Sequence, residues 1–354
     1  MNTKRFAFLF LALSFLMSSC TDDDDNTVNV TAGGTYDNGL LISHEGNFGQ
    51  GNASISYISD DFETVENNVF AHVNASALGD TAQSIAFNGD LAYIVLNVSN
   101  TIQVVNRYTF ESIASITTGL NNPRYMAVSN GKGYVTNWGD GSDATDDYLA
   151  VMDLSQNVMT SQTISVAEGP EKIISDGNRL YVAHQGGFSQ NNLISVIDAS
   201  LNAVSLTFTV RDVPNSMQLD PLGNLWVLSG GKPAYTGDET FGSLSKINTN
   251  TNEISAWDFA ENEHPSLLNL DNNQLYYYLQ GSVFKMDATA TELPTTPQLS
   301  NLNFYGMSVK NETIYGVDAL DFTSNGNLNV YNTNSSTAIE TITLGIIPNG
   351  VYFN

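Results

Sequence analysis

Two histidines, a run of aspartates and two isolated cations are the residues whose chemistry commands attention first. His44 and His184 take similar places, each closing a short apolar segment, Leu40–His44 and Leu180–His184. An imidazole there can ligate a metal, although four histidines in 354 residues also suit ordinary polar positions. Asp140, Asp143 and Asp146 lie in Asp-Gly-Ser-Asp-Ala-Thr-Asp-Asp, which gathers the oxygens a hard cation such as Ca2+ takes. The spacing is not that of an EF-hand, and no glutamate closes the loop at its twelfth position. Arg124 and Lys172 stand out in a chain of 12 basic and 37 acidic residues. Either could neutralise a ligand phosphate or carboxylate, or pair with a neighbour such as Glu171.

The elements that position these residues follow from an internal repeat. A proline or polar corner leads into a short apolar strand, as in Pro123-Arg124-Tyr125-Met126-Ala127-Val128. Copies begin at 82, 170, 214, 265, 304 and 348, spaced 39 to 51 residues apart. An aromatic residue in a second strand follows each of the first six corners: Tyr93, Tyr134, Tyr181, Trp226, Tyr276 and Tyr315. Third strands fall at Ile55, Ile102, Leu149, Ile194, Leu244, Val283 and Leu328, several alternating with period two. These lengths suit four-stranded propeller blades. The chain begins with a second strand, Leu40–His44, and ends with a first strand, Pro348–Phe353. Joined, they make one complete blade and leave no open sheet edge. The expected fold is all-β: a single seven-bladed propeller over residues 38–354, closed by pairing of N- and C-terminal strands. The blade containing Pro294 and Pro297 has the least defined fourth strand, because proline removes a ladder donor.

In such a ring, loops entering first strands share a face with loops between second and third strands. The latter are long here, and long loops on a rigid ring are where binding residues concentrate. They supply His44, Asn47, Phe48, Trp138, His184, Phe188, Tyr235 and Phe322, and the corners supply Arg124, Tyr125, Lys172, Asn215, His264, Tyr305 and Asn349. Aromatic faces mixed with amides and cations would suit a large flat ligand bearing amide groups. About half of these residues can equally serve corner packing, Tyr125 and Tyr305 filling gaps between blades. No Gly-x-Ser-x-Gly, His-Glu-x-x-His or phosphate loop is present, and corner residues Glu171 and Glu263 do not form a recurrent carboxylate set. The expectation is a binding protein that requires no cofactor, with Ca2+ a possible guest at the aspartates. A protein-interaction platform and a propeller lactonase or related hydrolase are the alternatives.

The N-terminus reads as an address. Lys4 and Arg5 precede an apolar run from Phe6 to Met17, too short to span a bilayer permanently. Ser18 and Ser19 then precede Cys20, the only cysteine, so no intramolecular disulfide can form. Asp22 to Asp25 begin a solvated, self-repelling tether. A formal net charge of −25 argues against nucleic-acid partners.

Several of these features resemble known families. Small residues before Cys20 resemble a bacterial lipobox, with Met17 where leucine is more usual. That resemblance implies a signal peptide over residues 1–19, a lipidated Cys20, and a tether over residues 20–37. The acidic stretch is similar to the one that sends Bacteroidetes lipoproteins to the outer face of the outer membrane. Tyr134-Val135-Thr136-Asn137 resembles the hallmark of the YVTN or YncE-like propellers. Leu41-Ile42-Ser43-His44-Glu45-Gly46-Asn47-Phe48-Gly49 and Asn137-Trp138-Gly139-Asp140-Gly141 resemble a group of Bacteroidetes surface lipoproteins. Some of that group capture cobalamin and pass it to a TonB-dependent transporter. The resemblance therefore implies a corrinoid ligand, an outer-membrane transporter partner, and membrane contact through the lipid alone.

Overall fold

The computed structural model describes residues 33–333 and 337–354. The expected signal peptide, Cys20 and most of the tether lie outside the described residues. Gly34–Asn354 form one compact unit. It begins slightly before the expected boundary at residue 38. Tyr36 is buried there between Tyr57 and Phe110, with ring centroids at 5.3 and 5.6 Å.

The unit consists of seven four-stranded antiparallel sheets, six in simple meander order and the seventh joining the last strand of the chain to its first three. We number the blades by their innermost strands: Ala82–Asn88 (blade 1), Pro123–Ser129 (2), Pro170–Ser175 (3), Pro214–Leu219 (4), Ser266–Asp271 (5), Gly306–Lys310 (6) and Pro348–Phe353 (7). Each inner strand touches the next, and that of blade 7 touches that of blade 1, which closes the ring. Closure runs as the unmatched ends predict. Pro348–Phe353 pairs with Gly39–His44, bringing Leu40 opposite Phe353 and Ile42 opposite Val351. The fourth strand of blade 5 shrinks to Leu299–Ser300, just after the two prolines.

The core lies between blades. The second-strand aromatics Tyr93, Tyr134, Tyr181, Trp226 and Tyr276 are all buried. Burying a phenol requires a partner for its hydroxyl. Tyr93 Oη donates to Asn157 Oδ1 at 2.7 Å, and a hydrogen bond at 2.8 Å joins Tyr134 Oη to the Asn202 side chain. Both bonds reach into the following blade, whereas Tyr181 Oη and Trp226 Nε1 bond to Asp176 and Asp220 of their own blades. First and second strands meet through tight turns; at Asn130-Gly131 both residues have positive φ, as a two-residue hairpin turn of this kind requires. Outer strands such as Ala203–Thr209 are largely exposed. A short helix, Val69–Asn74, is inserted between blades 7 and 1.

Closure can be tested directly. Val351 packs with Leu40, Ile42 and Val317. Val351→Asp should cost about 3 kcal/mol or more in urea unfolding, since it buries an unpaired carboxylate. Val204→Asp, on an outer strand, should stay within about 0.5 kcal/mol. Equal effects at the two positions would refute closure by the terminal strands.

Candidate functional site

A backbone irregularity repeated around the ring builds the site. In blades 1 to 5 and in blade 7, the pairing of first and second strands slips at the corner end of the inner strand. A bulge releases residues from the ladder and re-aims their side chains. The skipped residues include Gln83, Arg124, Tyr125, Glu171, Lys172, Asn215 and Asn349. They form one mouth at the centre of the loop face.

An ion pair organises that mouth. Arg124 donates to both carboxylate oxygens of Glu171, at 2.8 and 2.9 Å. Its guanidinium lies 4.1 Å from the Trp138 ring centroid. Both charged side chains are mostly buried, at 15% and 5% exposure. Burial opposes the Arg124 charge, but Glu171 and then Glu45 hold its pKa above the usual value. Glu45 Oε1 accepts from Tyr305 Oη at 3.1 Å and from Asn349 Nδ2 at 3.2 Å. Burial raises the Glu45 pKa, against the pull of Tyr305, Asn349 and Arg124. Burial, with Glu45, also raises that of Tyr305. Asn349 Nδ2 further reaches Ala82 O at 3.0 Å and Gln83 O at 3.3 Å. Gln83 Nε2 donates to Tyr125 Oη at 3.3 Å, and Lys172 Nζ lies 3.7 Å from the Tyr125 ring centroid. The expected Arg124, Tyr125, Trp138, Lys172, Tyr305 and Asn349 are thus brought together across blades 6, 7, 1, 2 and 3. The Trp138 indole Nε1 is buried and has no hydrogen-bond partner among the described residues.

Aromatics stand above the mouth. Phe48, Phe188 and Tyr235 are 81%, 81% and 85% exposed on three different loops. Phe322 packs edge-on against Tyr305 at 5.2 Å. Every aromatic among the large exposed apolar side chains, counting described residues, belongs to this face. The loops are fixed at their bases. Asn47 N donates to Asn52 Oδ1 at 2.8 Å, and Asn47 Nδ2 reaches Phe322 O at 3.4 Å. His264 bridges Gly230 O at 2.7 Å and Glu239 Oε1 at 3.1 Å. Asn215 Nδ2 donates to Pro265 O at 2.8 Å. Gly169 and Gly186 both have positive φ and approach so closely that a Cβ on Gly169 would lie 2.3 Å from the Gly186 backbone. Side chains at either position would push the Phe188 loop off its corner.

Two expectations are corrected. His44 and His184 do not face the mouth; both are 0% exposed inside their blades. His44 Nδ1 lies 3.2 Å from Ser54 O, and His184 Nε2 lies 2.9 Å from Ser195 Oγ. Burial lowers each pKa to about 4, so both rings are neutral near pH 7. Both lie on second strands held between neighbouring blades, where both faces of the strand are buried. Asp140, Asp143 and Asp146 do not face a common centre. Asp140 Oδ1 accepts from Ser142 N at 3.1 Å and Oγ at 2.7 Å; Asp143 Oδ1 does the same with Thr145, at 3.0 and 2.6 Å. Asp146 Oδ2 accepts from Asp140 N at 2.8 Å. They brace their own loop, and among the described residues no group of three His, Cys, Asp or Glu is arranged to hold a metal. The reading from sequence missed Glu45 and treated Glu171 only as a possible partner. Glu171 could have been found by position, since it lies beside Lys172 in a corner already singled out.

The chain belongs to the DUF5074 family, a domain of unknown function, which it matches over residues 38–352. No curated protein sequence matches it. Among solved structures it is similar to a quinonprotein alcohol dehydrogenase-like protein from Bacteroides thetaiotaomicron (TM-score 0.66, 13% identity, 90% of this chain and 78% of that one). Hydrazine synthase from Kuenenia stuttgartiensis gives 0.62 at 16% identity, over 79% and 89% of the chains. BamB from Moraxella catarrhalis gives 0.56 at 11%, over 90% and 86%. At these identities the shared property is the propeller fold, which hosts many unrelated functions.

The ion pair yields a test. Removing one partner of a buried pair strands the other charge. Glu171→Gln should therefore destabilise the protein by about 3 kcal/mol in urea unfolding. A change within about 0.5 kcal/mol would show that water already solvates Arg124.

Proposed function

We propose that this protein captures a small-molecule nutrient on the loop face of its propeller. The proposed ligand is large, flat and rich in amide groups, a corrinoid such as cobalamin being the best candidate. Cys20 would carry the lipid that holds the protein on the outer membrane, facing the exterior. The captured ligand would then pass to a TonB-dependent transporter. The observation that carries this reading is the concentration of exposed aromatics above a polar mouth. Phe48, Phe188, Tyr235 and Phe322 offer apolar faces that water alone does not favour. The Trp138 indole Nε1 is buried without a hydrogen-bond partner among the described residues, and a ligand oxygen would reach it only with movement of its loop. Neither buried histidine takes part in this proposal, and no residue is assigned a role in turnover.

Calorimetric titration of the purified protein with cyanocobalamin tests it. One saturable site is expected, weakened about tenfold or more by Trp138→Ala or Phe188→Ala. A wild-type protein that gives no binding heat would remove the corrinoid from the account. Binding that both substitutions leave unchanged would move the site off the loop face.

A further inference from the structure

Below the mouth, the inner strands enclose an axial cavity of about 390 Å³, with residues of all seven blades on its wall. That volume lies in the range of small-molecule sites. The charge of its wall departs from that of the molecule. The chain carries a net charge of −25, yet among the described residues no aspartate or glutamate lines the cavity, and Lys172 is its one charged side chain. Among the described residues Lys172 forms no ion pair; its ammonium rests only on the Tyr125 ring, at 3.7 Å. Arg124, by contrast, is already engaged twice by Glu171.

The side-chain amides of Asn215, Gln218 and Asn269 on the wall are occupied. Asn215 Nδ2 donates to Pro265 O at 2.8 Å, and Gln218 Nε2 to Leu268 O at 2.9 Å. Asn269 Nδ2 reaches Leu267 O at 3.0 Å and Met307 O at 3.1 Å. These amides link neighbouring strands and leave the ammonium as the one charged donor of the wall. Much of the remaining wall is apolar, including Ile85, Ile174, Met217 and Met307. One unpaired cation in a cavity of mixed amide and apolar wall, without carboxylates, favours an anionic guest. We infer that the axial cavity binds an anion with an apolar body, its carboxylate or phosphate on Lys172 and its hydrocarbon along the apolar part of the wall. An ammonium binds either group as a point charge. The negative outer surface does not oppose entry strongly, because salt screens it beyond about 10 Å. The inference rests on the loop face being the ligand entrance, and it makes the axial cavity a charge-selective extension of the mouth, with which it shares Tyr125, Lys172, Asn215 and Asn349.

Titration of the full chain with octanoate, octyl phosphate and octanol tests this. Octanoate or octyl phosphate should bind at one site, and the tighter of the two identifies the preferred anion. Octanol should bind about tenfold or more weakly. Lys172→Met should abolish the preference for the anion while octanol still binds, and Lys172→Arg should retain it. Equal affinities for anions and octanol, no binding of either anion, or anion binding untouched by Lys172→Met would each overturn the inference. Cyanocobalamin binding without anion binding would fault the cavity alone; the reverse would fault the corrinoid reading alone.

Discussion

Ring closure is the constraint on which the rest depends. The final strand supplies the inner edge of blade 7, and the earliest strand supplies its neighbour. Without that pairing, two sheets would present open edges, and the inner strands could not converge on one axis. The mouth inherits its geometry from this contact. Asn349 sits at the corner of the closing strand and joins Glu45, Ala82 and Gln83. It thereby links the last blade to the first at the point where the site is built.

The site combines a rigid base with exposed tips. Bulges at the corner ends turn otherwise equivalent residues toward the mouth, and their amides and carboxylates lock one another across blades. The buried Arg124–Glu171 pair is weak as a source of stability, because desolvation offsets much of its attraction. Its geometric effect is larger: it fixes the plane on which Trp138 rests. Phe48, Phe188 and Tyr235 stand above on loops whose bases are pinned but whose tips face water. A large ligand meeting such a face would find its recognition groups already placed, which limits the ordering cost of binding.

The fold was legible because its signals repeat. Corner, strand and turn recur in each blade, an aromatic in six of them, and burial of those aromatics between sheets explains the recurrence. The unmatched ends announced closure. The site was legible only in outline, since loop position told which face but not which way a side chain turned. His44 and His184 lie at the ends of second strands in which consecutive residues on both faces are buried between blades, so nothing in the alternation marked them as core. The aspartates near Asp140 looked like a cation loop because carboxylates that cap turns and carboxylates that bind cations share a composition. Glu45 carried no signal of its own; only the fold brings it to Tyr305 and Asn349.

The central claim is that the loop face receives the ligand while the ring stays fixed. Hydrogen exchange of the full chain, with and without cyanocobalamin, tests it most directly. The account predicts slowed exchange in the loops around Asn47, Trp138 and Phe188, with none at Asn130-Gly131 and the other turns of the opposite face. Protection on the opposite face, or on the outer strands alone, would contradict it.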